Sequence, residues 1–114
     1  MTTNYLFVDE YITLPRGDTL SFNIEVTGST TTLDDAYFTI KKNYDDSPVA
    51  QVSLGSGITD LGGGLYVVRL APSMTYDLPI GKYYYDLRLY VESDVFTVKR
   101  GIIELVNDAT REET

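Results

Sequence analysis

Polar and apolar residues alternate with a period of two through much of this chain, the spacing that puts successive side chains of a strand on opposite faces. Leu20, Phe22, Ile24 and Val26 fall on one face, against Ser21, Asn23, Glu25 and Thr27 on the other. Ala36, Phe38 and Ile40 repeat the pattern against Tyr37, Thr39 and Lys41, and Tyr66, Val68 and Leu70 repeat it against Val67 and Arg69. The longest run sets Tyr83, Tyr85, Leu87, Leu89 and Val91 against Tyr84, Asp86, Arg88, Tyr90 and Glu92. Phe96 and Val98 then begin a last strand, but Ile103 and Leu105 have the opposite parity. A β-bulge near Arg100-Gly101 is the simplest way to keep both pairs facing inward.

Turn residues punctuate these runs. Arg16-Gly17-Asp18, Gly28-Ser29, Asp45-Asp46-Ser47-Pro48, Gly55-Ser56-Gly57, Gly62-Gly63-Gly64 and Pro79-Ile80-Gly81 read as turns. The segment from Ala71 to Leu78 is the one helical candidate, at most a single turn between Pro72 and Pro79. Short alternating strands at close spacing predict an all-β, immunoglobulin-like antiparallel β-sandwich of about seven to eight strands. The inward positions predict a core of Leu20, Phe22, Ile24, Phe38, Ile40, Tyr66, Val68, Tyr83, Tyr85, Leu87, Leu89, Phe96 and Val98, nearly fully buried. One domain over residues 1–106 and a polar tail over 107–114 account for all 114 residues.

Composition narrows the chemistry. With no cysteine and no histidine, thiol nucleophiles, disulfides, Ser-His-Asp catalysis and the commonest transition-metal ligands are excluded. A formal charge of −8 opposes phosphate backbones and anionic membranes, so nucleic acid and membrane are not expected partners. No apolar stretch is long enough for a spanning helix. The Met1-Thr2-Thr3-Asn4 start has neither the basic residues nor the apolar run of a secretory signal, so synthesis in the cytoplasm without a signal peptide is expected.

The short motifs have plain structural readings. Arg16-Gly17-Asp18, known from integrin ligands, stands between Pro15 and a strand and reads as a turn. The pairs Asp34-Asp35 and Asp45-Asp46 lack the spacing of a calcium loop and read as solvated acids. Gly62-Gly63-Gly64 lacks the lysine and hydroxyl residue of a phosphate loop. No metal, cofactor or catalytic residue is expected. Ten tyrosines without a tryptophan shift attention to binding, since Tyr84 and Tyr90 fall on an outward face beside Arg88. Tyrosine offers apolar area with a polar tip, suited to a protein interface or to stacking on sugar.

Three segments carry a resemblance. Arg16-Gly17-Asp18-Thr19 before an alternating strand, the run from Leu78 to Leu87, and the close from Gly101 to Thr110 resemble small bacteriophage tail and baseplate proteins. These include the N-terminal domains of upper baseplate proteins of phages of Gram-positive bacteria. The resemblance implies a non-enzymatic structural module of a phage or prophage virion, joined to copies of itself or to other phage structural proteins. A carbohydrate-binding surface module is the alternative, supported by the outward tyrosines. An open sandwich must also protect its strand edges. Lys99, Arg100 and Glu104 would guard the last strand if it lies at an edge, whereas the consecutive apolar run Tyr5, Leu6, Phe7 and Val8 has no such guard. That run, with Tyr84 and Tyr90, is the expected protein interface.

Overall fold

The computed structural model describes residues 3–4, 8–9, 11–28 and 33–107; at 3–4, 8–9 and 27–28 the backbone alone is described. Eleven strands follow in chain order: β1 (Thr3–Asn4), β2 (Val8–Asp9), β3 (Ile12–Pro15), β4 (Leu20–Glu25), β5 (Thr27–Gly28), β6 (Asp35–Lys41), β7 (Ala50–Leu54), β8 (Gly57–Gly62), β9 (Leu65–Leu70), β10 (Gly81–Val91) and β11 (Asp94–Val106). The 3-10 turn Pro72–Met74 begins at Pro72 because proline has a suitable fixed φ and no N–H to leave unpaired. The fold is all-β.

Hydrogen bonding links the main sheet in the order β2, β11, β10, β6, β7, β8, β9, β4, with β3 also on β11 and β1 paired separately with β5. This path folds back on itself. Phe22 of β4 and Phe38 of β6 are separated along it by β7, β8 and β9, yet their rings pack edge to face with centroids 5.5 Å apart. The sheet therefore curls until β4 lies across the core from β6. The N-terminal strands pair in two places, β1 with β5 in a separate two-stranded sheet and β2 and β3 with β11.

Not every pairing is antiparallel. β3 runs parallel to β11, which the sequence allows because they are the chain's distant first and last long segments. β7 and β8 are also parallel, over Ser53↔Gly57 and Leu54↔Ile58. The Gly55-Ser56 link steps the chain sideways instead of reversing it, with Gly55 and Gly57 at φ 87° and 105°. This short pair carries the hydrogen-bonded path on from β7 to β8 within one nearly closed sheet.

Inward parity explains the core. Phe38, Ile40, Tyr66, Val68, Tyr83, Tyr85, Leu87, Leu89 and Val98 are buried as expected. Leu20, Phe22, Ile24 and Phe96 are corrections, because they pack against the core but remain only half-buried. For the first three the reason is position: β4 ends the sheet path and only β9 shields its flank. Ile103 and Leu105, which the expected bulge turns inward, are buried too, and Leu14, Val52 and Ile58 join the core from strands that the alternation did not reveal.

Two further expectations are displaced. The parity switch in the last strand occurs where Leu87 pairs with Lys99 and Arg88 with Thr97, leaving Val98 as the extra residue. The bulge thus precedes Arg100-Gly101, inside one continuous strand. β11 is also not an edge, because β2 and β3 cover it, so Lys99, Arg100 and Glu104 do not act as edge guards.

Candidate functional site

Because β10 alternates strictly, burying Tyr83, Tyr85, Leu87 and Leu89 leaves Tyr84, Asp86, Arg88 and Tyr90 on the outer face of the sheet. Strand register sets their neighbours. Arg88 lies opposite Tyr37, Asp86 opposite Thr39, Tyr84 opposite Lys41 and Tyr90 opposite Asp35 on β6. One strand further, Thr39 is opposite Gln51 of β7. An open groove of about 420 Å³ runs over this grid, lined by Tyr37, Thr39, Gln51, Asp86, Arg88 and Tyr90 with Lys41 and Pro48. It continues toward Tyr44 and Tyr84 through a smaller recess that shares Thr39, Lys41 and Asp86.

Aromatic pairs stand at both ends. Tyr90 meets Tyr37 edge to face with centroids 5.7 Å apart, and Tyr84 carries Tyr44 stacked on it at 4.3 Å. Tyr44 is 65% exposed, so it presents ring surface to solvent. Tyr37 is held firmly: its hydroxyl donates to Asp35 Oδ2 at 2.9 Å, while Asp35 Oδ1 accepts the Ala36 N–H at 2.9 Å. The hydrogen bond to Asp35, reinforced by its negative charge, raises the Tyr37 phenol above its ordinary pKa.

Polar groups between the pairs retain unused capacity. Gln51 Nε2 donates to Thr39 Oγ1 at 2.9 Å, which leaves the Gln51 carbonyl and the Thr39 hydroxyl hydrogen available. Among the described residues, neither the Arg88 guanidinium nor the Asp86 carboxylate has a side-chain partner. The groove thus offers donors, acceptors and ring surface together.

A second feature is the seam between the two ends of the sheet. Tyr11, Ile12, Thr13, Leu20, Phe22 and Lys99 line a groove of about 300 Å³ there. Lys99 Nζ lies 5.6 Å from the Phe22 ring centre. The Tyr11 hydroxyl donates to Glu104 Oε1, and that bond raises the Tyr11 phenol pKa.

The structure places Tyr84 and Tyr90 outward, as their parity requires, but each is half-buried against a tyrosine that sequence reasoning did not single out. Tyr37 was legible from the parity of β6; Tyr44, in a turn, carried no periodic signal. Tyr5, Leu6 and Phe7 lie outside the described residues, and Val8 is described only by its backbone pairing with Lys99. Arg16-Gly17-Asp18 forms a turn fixed to the body of the domain: Arg16 Nη1 donates to the Leu78 carbonyl and the Gly17 N–H to Thr75 Oγ1. Asp34, Asp45 and Asp46 are exposed, and Asp35 is half-buried in β6. Among the described residues, no three acidic side chains gather in a metal-binding group. No helix among them is long and apolar enough to cross a membrane.

Comparison with known proteins adds no relative. No protein-family model matches the chain, and no curated protein matches it significantly.

Proposed function

We propose that this chain is a non-enzymatic assembly module, a tail or baseplate component of a phage or prophage virion that acts through contacts with copies of itself or with other particle proteins. The observation that carries the contact reading is the seam between β3 and β4. Ile12, Leu20 and Phe22 leave apolar surface open there, flanked by the exposed ring of Tyr11 and the ammonium of Lys99. Apolar side chains at a groove between strand ends gain free energy when a partner covers them. The assignment to a phage particle rests on the resemblance of the Arg16–Thr19, Leu78–Leu87 and Gly101–Thr110 segments to tail and baseplate proteins.

A specific contact of this kind buries at least about 1,000 Å². Light scattering at rising protein concentration, alone and with purified products of adjacent genes, tests it. Self-association or a stoichiometric complex, weakened by Leu20→Ser and by removal of residues 1–8, is the expected result. A strict monomer that captures no neighbouring gene product would overturn the assembly role. A gene set apart from tail and capsid genes would overturn the particle assignment.

A further inference from the structure

We infer that the outer groove over β6, β7 and β10 is a binding site for a neutral oligosaccharide, a function separate from the assembly contact at the seam and resting on different residues. A sugar ring has apolar C–H faces and a rim of hydroxyls that both donate and accept. Its receptor therefore needs aromatic surface and planar polar groups side by side, and the groove supplies both. The ring pairs Tyr37 with Tyr90 and Tyr44 with Tyr84 stand at its two ends. Tyr90 and Tyr84 are six residues apart on one strand, so the pairs are separated by about 20 Å along the strand direction. That spacing suits a short chain of linked sugars better than a single ring.

The polar side chains between the pairs supply both hydrogen-bonding senses. Arg88 presents donors in a planar fork, Asp86 presents acceptors, and Gln51 and Thr39 each keep one group free after bonding to each other. A vicinal diol, donating from one hydroxyl and accepting at the next, matches an adjacent carboxylate and guanidinium. Both charges project from one strand, two residues apart on the same face, and are fixed by its backbone.

A protein partner fits this groove less well. Interface cores are depleted in lysine and aspartate, whereas Lys41 and Asp86 line this groove, and beyond its tyrosine rings the apolar surface is limited to Pro48, the Thr39 methyl and side-chain stems. No aliphatic pocket receives a partner's side chain. Charge argues in the same direction: Arg88 and Lys41 against Asp86 leave the lining close to balanced within a chain of net charge −8. An acidic ligand meets repulsion from the molecule as a whole, and a basic one meets Arg88 and Lys41 locally. A neutral, hydroxyl-rich ligand meets neither. Groove volumes of several hundred Å³ are typical of small-ligand sites.

The test is an array of immobilised neutral and acidic bacterial and plant oligosaccharides, probed with the full chain. Array hits are then titrated in solution while amide shifts are followed by NMR. Binding to neutral glycans is expected, with shifts confined to β6, β7 and β10. Arg88→Ala, Asp86→Ala and Tyr44→Ala are each expected to weaken it at least about tenfold, the loss that follows when one hydrogen-bonded or stacked contact goes. All three side chains point outward, so unchanged melting would separate lost contacts from lost folding. Failure of every glycan to bind, binding that survives the Asp86 and Arg88 substitutions, or shifts mapping to the seam would each overturn the assignment. So would protection of this face by a protein partner.

Discussion

The hydroxyl of Tyr83 donates to the carbonyl of Pro79, four residues earlier, at 2.6 Å. This bond ties the start of β10 to the connection that leads into it, as the tyrosine corner does in immunoglobulin-like domains. Burial raises the Tyr83 phenol pKa, while the positive charge of Arg16 pulls more weakly the other way. The folded chain therefore holds this proton more tightly than the unfolded chain. The stability it contributes is fully present below the ordinary tyrosine value of about 10 and is lost as pH rises through the raised folded value. Tyr83→Phe is expected to cost about 1 to 3 kcal/mol at neutral pH, because the Pro79 carbonyl loses its partner. It should also make the alkaline decline shallower. Denaturant midpoints taken from neutral to strongly alkaline pH check both effects; an unchanged slope would assign the decline to other groups.

Two phenylalanines in contact should differ in cost. Phe38 is 0% exposed and packs on Phe22 and on Tyr85, whose ring centre lies 5.6 Å away. Phe38→Ala is expected to destabilise by about 3 to 5 kcal/mol, the range for deleting a buried aromatic ring. Phe22 is half-buried at the seam, so Phe22→Ala should cost about 2 kcal/mol. Urea unfolding of both variants measures the difference. Equal losses would mean that Phe22 is covered in solution, which an associated state would produce.

The same pair shows how far the sequence could be read. Parity placed Phe22 and Phe38 on inward faces, and in that it was right, since parity depends only on the strand's own geometry. How deeply each is buried depends on which strand ends the sheet, a property of long-range pairing that no local pattern carries. β7 and β8 were missed for a related reason: their parallel link passes through Gly55-Ser56-Gly57, which reads as an ordinary reversal. On the outer face, Tyr84 and Tyr90 were legible from β10 alone. Tyr37 was legible from the parity of β6, but its pairing with Tyr90, and Tyr44 altogether, became visible only once β6 and its following turn were placed beside β10.

That Gly55-Ser56-Gly57 link yields a sharper expectation. A Cβ on Gly57 would lie 2.5 Å from Val52 Cβ and 2.6 Å from its Cγ1, at a φ of 105°. Gly63 also has positive φ, at 65°, but a Cβ there meets nothing within 4 Å. Gly63→Ala should cost about 1 to 2 kcal/mol, from backbone strain alone. Gly57→Ala adds overpacking of about 1 to 3 kcal/mol against a core valine. Thermal melts of the two variants should therefore fall in that order, and a Gly57→Ala protein as stable as Gly63→Ala would show that β7 and β8 do not approach this closely.

The β10-β11 hairpin contains a residue that works against its own turn. Val91 pairs with Asp94, so Glu92 and Ser93 form a two-residue connection, and Glu92 takes a φ of 57°. Two-residue hairpins with positive φ at the first position favour glycine there, because a Cβ in that region costs about 1 to 2 kcal/mol. The glutamate side chain is exposed, and its backbone N–H, not its carboxylate, makes the local bond, donating to Asp34 Oδ2. The residue whose N–H meets Asp34 thus carries a negative charge of its own. Glu92→Gly keeps the N–H, removes the strain and removes the like charge, while glycine's greater freedom in the unfolded chain offsets part of the gain. A net stabilisation of about 0.5 to 1 kcal/mol is expected. Asp34→Ala should act oppositely, losing about 1 kcal/mol with the bond to the turn. The double variant discriminates: if Glu92→Gly stabilises through relief of strain, its gain persists when Asp34 is alanine, and if the gain disappears, repulsion between the two acids was its source.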